Sequence, residues 1–504
     1  MVTLAAVDIG ANSVRLKIAR VERRWLRVLH EDREVVRLGE GVFRTGALDP
    51  AAMEQTVQVL RRFHKAVQAH GATRVRVVAT SALRDSNNGS AFVHWVKAAV
   101  GWRVEVVSGV EEGRLIHLGV TTNTRISTGR MLLIDLGGGS CELIVSFKGQ
   151  IERVYSLPLG AVRLTREFLK HDPPSETELE QMRAYIGEEV KRVRRELTQH
   201  KITQTVATSG TPAALSELWA AGQGGESATV PRAALLRLTK KLSTFDVERR
   251  RALKGIGPRR AEIIVAGAHV FAELFAELDL SSFRYLPFGL RDGILAQMAA
   301  DQEGIGPRKQ LENERNNSIL SLASHYNVDM RFSMRVADHA RRLFRLLAPV
   351  HNLPSEYAPL LNAAALLHEV GSFISRAGRR RHAHYILAHS ELMGFTLPQR
   401  RVIAAIARYL GKSKILPAHR AVSVLSPTDR FLMPRAVMLL RLARAAELGR
   451  RGAVVALRTK LEPGNVRLTL VTKPAGAELE LWALEKERDY FREIFGCELT
   501  CIEA

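Results

Sequence analysis

The 504-residue sequence predicts two successive α/β units built on one plan, then an all-α region and a small α+β tail. Three observations carry this reading. Short Val/Ile-rich runs alternate with helical patterns as far as residue 303, the signature of strands and helices taken in turn. Beyond that point strand signals stop and long helical patterns take over. Finally, an apolar strand ending in Asp, then Gly and small polar residues, then a returning strand, occurs twice: Val7-Asp8-Ile9-Gly10-Ala11-Asn12-Ser13 and Ile134-Asp135-Leu136-Gly137-Gly138-Gly139-Ser140. The repetition implies a duplicated pair of phosphate- or nucleotide-clamping loops. The domains expected are 1–124, 125–303, 304–452 and 453–504.

Taken in order, the first unit reads as strands at 4–8, 14–19, 74–79 and 104–107 with a helix over 53–70. Thr121-Thr122-Asn123-Thr124 reads as a linker. The second unit has strands at 131–136, 142–147 and 151–156, a helix over 175–200 and a strand at 203–207. Helices follow at 334–347, 359–370, 384–393 and 399–409. In the tail, alternation predicts strands at 454–460, 466–472 and 478–484, then a helix over 485–495.

Charge narrows the partners. The 74 Lys and Arg against 52 Asp and Glu leave +22, which points to a polyanion. Aromatics are only 6%, so the stacking platforms of single-strand nucleic-acid binders are poorly supplied and a polyanion without bases fits as well. Of the three cysteines, Cys141 lies far from Cys497 and Cys501. Neither a disulfide framework nor a four-ligand zinc site can be assembled, and a reducing cytoplasm is expected. Apolar runs fall short of the ~18 residues of a membrane span, and Met1 to Asp8 lacks the pattern of a secretory signal.

The chemistry gathers at the loops. Gly137, Gly138 and Gly139, directly after a strand, let backbone N–H groups approach an anion with no Cβ in the way, and Ser140 completes the turn. Asp135 at the strand end, with Glu142 opening the return strand, can hold a divalent cation that bridges phosphate oxygens. Ala11, Asn12 and Ser13 form the matching loop. Ser209-Gly210-Thr211, between a strand and a helix, offers further N–H groups to a phosphate. No Walker A pattern exists, and Gly39-Glu40-Gly41 with Gly46 does not sit between a strand and a helix.

These motifs, with Ser108-Gly109-Val110-Glu111-Glu112-Gly113-Arg114-Leu115-Ile116, Thr208-Ser209-Gly210-Thr211, Phe288-Gly289-Leu290-Arg291-Asp292-Gly293 and Leu367-His368-Glu369-Val370-Gly371, resemble the exopolyphosphatase/guanosine pentaphosphate phosphatase family over nearly the whole chain. The resemblance implies a two-lobed actin-like ATPase (ribonuclease H-like) fold with duplicated lobes, followed by a degenerate HD-like helical domain. It implies that Glu112 is the catalytic carboxylate that directs water, while Glu111 caps the helix with Ser108. Arg84 would hold charge on the transferring phosphoryl group, with Mg²⁺ or another divalent cation as cofactor. The expected reaction is processive release of orthophosphate from inorganic polyphosphate. Removal of the terminal phosphate of guanosine pentaphosphate (pppGpp), or transfer from polyphosphate to a nucleoside diphosphate, would use the same cleft. Further off stand a sugar or acetate kinase and a non-catalytic polyanion or nucleic-acid binder. A homodimer is implied.

In the helical region, His339, His368-Glu369 and His382/His384 resemble a histidine-aspartate metal site. Glu369 stands there in place of Asp, and Arg444 where the closing Asp belongs. Arg376, Arg379, Arg380, Arg381 and His382 are instead expected to line a polyphosphate channel. Lys254-Gly255-Ile256-Gly257-Pro258-Arg259-Arg260-Ala261 and Gly304-Ile305-Gly306-Pro307-Arg308 look like DNA-binding hairpins but read as turns that start helices.

Overall fold

A computed structural model describes residues 2–22, 25–124, 128–222, 229–258, 260–303, 308–411 and 414–504. The chain forms two compact units, Met1–Glu312 and Asn313–Ala504. The expected boundary segment 304–307 and Arg259 lie outside the described residues.

Unit 1 contains two sheets with one topology. In the first, β1 (Thr3–Ile9), β2 (Ser13–Glu22) and β3 (Trp25–Val35) make an antiparallel meander, and β4 (Arg74–Ala79) and β5 (Val104–Val106) add parallel strands on the other side of β1. The order is β3-β2-β1-β4-β5. The second sheet repeats this plan with β6 (Arg130–Leu136), β7 (Cys141–Phe147), β8 (Gln150–Leu157), β9 (Gln204–Thr208) and β11 (Ser282–Tyr285), and β10 (Thr229–Pro231) closes its edge. The central strands β1 and β6 read as near-continuous apolar runs because both faces are covered, as buried strands require. The repeated topology is what a duplicated, two-lobed actin-like fold demands.

Four helices matter for the site. α1 (Pro50–Ala69) packs its apolar face on the first sheet, capped by Asp49, which accepts from the N–H groups of Ala51 and Ala52. α2 (Gly109–Asn123) runs between the lobes. Its glycines let it lie close: a Cβ at Gly113 would stand 2.7 Å from Val154 of β8. α3 (Gly210–Gly222) follows β9. α4 (Leu290–Glu303) comes last in the unit, yet it packs on α2 and on the first sheet, where Ile294, Leu295 and Met298 join Leu4, Val78 and Leu115 in one core.

The predicted linker at Thr121–Asn123 is instead the last turn of α2. The side chains of Thr121, Asn123 and Thr124 donate back to the carbonyls of His117, Gly119 and Val120 at 2.7–2.9 Å. Polar residues that look like a loop here satisfy the helix end.

In unit 2, α5 (Met330–Leu346), α6 (Tyr357–Leu367), α7 (Arg379–His389), α8 (Leu397–Arg408) and α9 (Pro427–Ala445) share one core with the sheet β12 (Val454–Glu462), β13 (Asn465–Thr472) and β14 (Glu498–Glu503). The helix expected at 384–393 starts earlier, in the arginine run, and stops at Ser390. Residues 478–484, expected as a strand, are helical (Glu478–Glu485). The alternation misleads because Glu480 is buried and accepts from the Gly449 N–H at 2.8 Å, whereas Leu479 is exposed. The third strand of the sheet is β14, which the sequence patterns did not reveal.

Candidate active site

The two loops meet. In the first, the Gly10 N–H donates to the Ser13 carbonyl at 3.1 Å; in the second, the Gly137 N–H donates to the Ser140 carbonyl at 3.0 Å. The strands on either side are in equivalent register, Asp8 opposite Arg15 and Asp135 opposite Glu142. A Cβ on Gly138 would stand 3.1 Å from the Asn12 nitrogen and 3.2 Å from the Ala11 Cβ. None of Gly137, Gly138 and Gly139 has a positive φ, so they are needed for close approach and not for an unusual backbone.

Between the loops lies a cavity of about 230 Å³. Ala11, Asn12, Ser13, Gly137, Gly138, Ser140, Ser209, Gly210, Glu112 and Asp135 all line it, so most of the residues named from the sequence converge. Gly139 does not line it. Its Cα packs on Ser81, whose Oγ would lie 2.3 Å from an added Cβ. Arg84 and Glu142 stand just behind the lining. The Arg84 Nη1 donates to Glu112 Oε2 at 3.3 Å and to the Val107 carbonyl at 3.1 Å, so this side chain touches the candidate base. Arg379, Arg380, Arg381 and His382 belong to unit 2, in the first turn of α7.

Local structure orients each carboxylate. Ser108 caps α2 by accepting from the Glu111 N–H at 3.2 Å. The Glu111 carboxylate pairs with buried Arg114, whose Nη2 also donates to Gln297 Oε1 of α4 at 2.7 Å. Glu112, next along the first turn, points into the cleft and is 7% exposed. Asp135 Oδ1 accepts from the hydroxyls of Thr208 and Ser209, and Ser209 has a φ of 76°, a strained conformation of the kind held at functional sites. Glu142 is fully buried. Its Oε1 accepts from Ser156 Oγ at 2.7 Å, and its Oε2 has no partner within hydrogen-bond distance among the described residues.

Four arginines that were not singled out also line the cleft: Arg15, Arg33, Arg260 and Arg291. Arg15 was legible from the duplication, since it holds the position of Glu142 in the first lobe. Arg291 lay inside a quoted motif without a role. Arg260 sits in the glycine-containing segment read as a structural turn. Its guanidinium covers Gly210 so closely that a Cβ there would stand 2.1 Å from Nη2. Only folding brings Arg33 to the cleft.

Burial crowds like charges on both sides. Glu112 is pushed well above the usual carboxylate range by desolvation and by Glu142, with Arg84 pulling the other way. Asp8 is raised by burial against the pull of Arg15 and Arg291. Asp135 is raised by burial against its two hydroxyl donors. Arg260 and Arg291 are lowered by burial and by Arg15. A polyanion relieves the second group and a cation the first.

Among the described residues no three His, Cys, Asp or Glu side chains form a ready-made cation cage. Mg²⁺ needs less from a protein, since one or two carboxylates with substrate phosphate oxygens and water complete its shell. Asp135 and Glu142, with the unpartnered Oε2, fit that use. In unit 2, by contrast, His368 is bonded to the Ala365 carbonyl, Glu369 pairs with Arg450, and His339 faces Glu447 at 3.7 Å.

Twin glycine loops closing on buried carboxylates and guanidiniums, in the cleft of a duplicated two-lobed fold, define an enzyme that works on phosphate groups. The profile of the Ppx/GppA phosphatase family matches residues 17–302, and that of Ppx/GppA phosphatase domain III matches 315–488. The chain belongs to this family, whose enzymes hydrolyse phosphoanhydride bonds. It is 28% identical over 476 residues to a guanosine-5'-triphosphate,3'-diphosphate pyrophosphatase of Aeromonas hydrophila, covering 94% of this chain and 92% of that one. A protein of the same name from Aeromonas salmonicida is 29% identical, with 80% and 79% covered. Among solved structures, an exopolyphosphatase from Cytophaga hutchinsonii matches with TM-score 0.56 at 25% identity, covering 60% of this chain and 98% of its own. The Aquifex aeolicus family member matches with TM-score 0.51 at 29% identity, covering 60% and 99%. No described helix is long and apolar enough to cross a membrane.

Proposed function

We infer that the protein is an exopolyphosphatase, which removes orthophosphate from the end of inorganic polyphosphate and repeats the step along the chain. The observation that carries this reading is a buried, proton-avid carboxylate, Glu112, in a cleft lined by the two glycine loops and four arginines. Glu112 takes a proton from water, and the water oxygen bonds to the terminal phosphorus. The bond from that phosphorus to the bridging oxygen breaks, and the shortened chain leaves with the electron pair. Arg84 holds Glu112 in place, while the loops and arginines orient the chain end. A divalent cation such as Mg²⁺, held by Asp135 and Glu142, would neutralise phosphate charge and support the leaving oxygen.

The net charge of +22 supports a long polyanion as substrate, because each phosphate adds a charge for basic groups to meet. The nearly full-length likeness to the Aeromonas hydrophila enzyme supports a second reading, hydrolysis of the 5'-terminal phosphate of pppGpp. Orthophosphate release from long-chain polyphosphate and from pppGpp, each with Mg²⁺ and with excess chelator, separates them. Faster metal-dependent release from polyphosphate is expected. A higher kcat/KM on pppGpp overturns the first reading, and no release from either overturns both.

A further inference from the structure

One oxygen atom outside the cleft ties together the elements that carry its base. Gln297 of α4 is buried and does not line the cavity. Its Oε1 accepts from two guanidiniums at once, Arg114 Nη2 of α2 at 2.7 Å and Arg76 Nη1 of β4 at 3.1 Å. Each arginine also forks onto a carboxylate of its own. Arg114 Nε and Nη2 each donate to Glu111 at 2.8 Å, and Arg76 Nε and Nη2 donate to Glu105 of β5 at 2.9 and 3.1 Å. An amide oxygen has two lone pairs, so this one atom completes both forks.

The identity of residue 297 follows from charge. Two arginines already meet two glutamates, so the fifth member need only accept. A carboxylate there would add a third negative charge beside Glu111. An apolar side chain would take one acceptor from each of two guanidiniums held largely out of water, a costly loss. The elements joined in this way all lead to the base. Consecutive residues stand ~100° apart around a helix, so Glu111 faces the network while Glu112 faces the cleft. Helix ends fray, and the clamp on Glu111 holds the first turn of α2 and with it the direction of Glu112. β4 runs on into the short Ser81–Arg84 helix, whose Arg84 donates to Glu112. β5 runs on to Val107, whose carbonyl accepts from the same guanidinium.

We propose that Gln297 is a positioning residue for the base: through Arg114 and Arg76 it fixes the placement of Glu112 against Arg84. A catalytic group displaced by about 1 Å loses up to ~10²-fold in rate, so an anchor remote from the substrate can govern turnover. The inference rests on Glu112 acting as the base, and it holds whether the chain end belongs to polyphosphate or to pppGpp.

The test is orthophosphate release by the full chain across a pH series, with kcat and KM resolved, for the parent, Gln297→Met, Gln297→Glu and, as control, Glu112→Gln. Gln297→Met keeps the volume and removes the acceptor. Its kcat should fall about 10- to 100-fold with KM little changed. Its acid limb should move to higher pH, because Arg84 favours the ionised form of Glu112 and is then held less closely to it. Gln297→Glu restores an acceptor and should recover most of the lost kcat. Combined with Arg84→Gln, the Met variant should cost less than the product of the two separate losses, since both act through one carboxylate. Should Gln297→Met not fold, Arg76→Lys, which keeps the charge beside Glu105 but gives up the fork, should shift the acid limb in the same direction. A lower melting temperature with kcat, KM and acid limb unchanged shows that Gln297 only stabilises the fold and overturns the proposal, as do fully multiplicative losses in the combination. Near-normal turnover by Glu112→Gln overturns the base assignment and the inference with it. An inactive Glu112→Gln beside kinetically normal Gln297 variants overturns the inference alone.

Discussion

Arg84→Gln separates two roles for one arginine. The sequence reading puts it on the transferring phosphoryl group, and its guanidinium is 3.3 Å from Glu112 Oε2. At that distance and an effective dielectric of ~20, Coulomb's law gives about 5 kcal/mol of support for the ionised carboxylate. The Arg84 side chain is 25% exposed, so solvent screening reduces this to about 1.5–3 kcal/mol, the scale of a hydrogen bond to a charged group. Arg84 lowers the Glu112 pKa, so its removal raises it further and moves the acid limb of the pH profile upward. The variant should lose about 10- to 100-fold in kcat at pH 7, since each 1.4 kcal/mol is tenfold, and recover much of it as the pH rises. The assay is orthophosphate release across a pH series, with kcat and KM resolved. A uniform loss at every pH, with the acid limb unmoved, would refute the positioning argument and return Arg84 to the phosphoryl group.

Glu112→Gln keeps the shape and removes the base, so phosphate release should fall by ~10²–10⁴ while substrate binding, measured by filter retention, persists. Near-normal turnover removes Glu112 from the mechanism. Glu142→Gln should raise the Mg²⁺ concentration for half-maximal activity, read from Mg²⁺ titrations after chelation; an unchanged requirement takes Glu142 out of the cation site. Gly293→Ala puts a Cβ 1.7 Å from the Leu115 carbonyl oxygen, backbone against backbone, and should cost roughly 2–3 kcal/mol. Gly187→Ala in the Glu176–Thr198 helix meets nothing within 4 Å and should stabilise by about 0.5–1 kcal/mol. Thermal melts of the pair check both, and equal midpoints would contradict the packing of α2 on α4.

The loops were legible because their chemistry is local. Glycine after an apolar strand, Asp at its end and Ser closing the turn are adjacent in sequence, and the duplication doubles the signal. The strands β1, β4 and β6 were equally plain, since a buried strand writes its environment into consecutive residues. Errors came where burial inverted the expected polarity. Glu480 is inside and Leu479 outside, so a helix mimicked a strand; Thr121 and Asn123 finish a helix by bonding to their own backbone.

What the sequence determined by itself was the pair of glycine-containing loops, the Asp135–Glu142 carboxylates and the helix that carries Glu112, because each depends on neighbours a few residues away. Only tertiary structure decided that Arg33, Arg260 and Arg291 converge on the same cleft, that Arg84 faces Glu112, and that α4 returns to the first lobe. Arginines are common in this chain, and nothing local separates one that lines a cleft from one in solvent. Their selection is made by long-range packing, above all by glycines such as Gly210, Gly119 and Gly293 that let distant backbones and guanidiniums approach where a single Cβ would keep them apart.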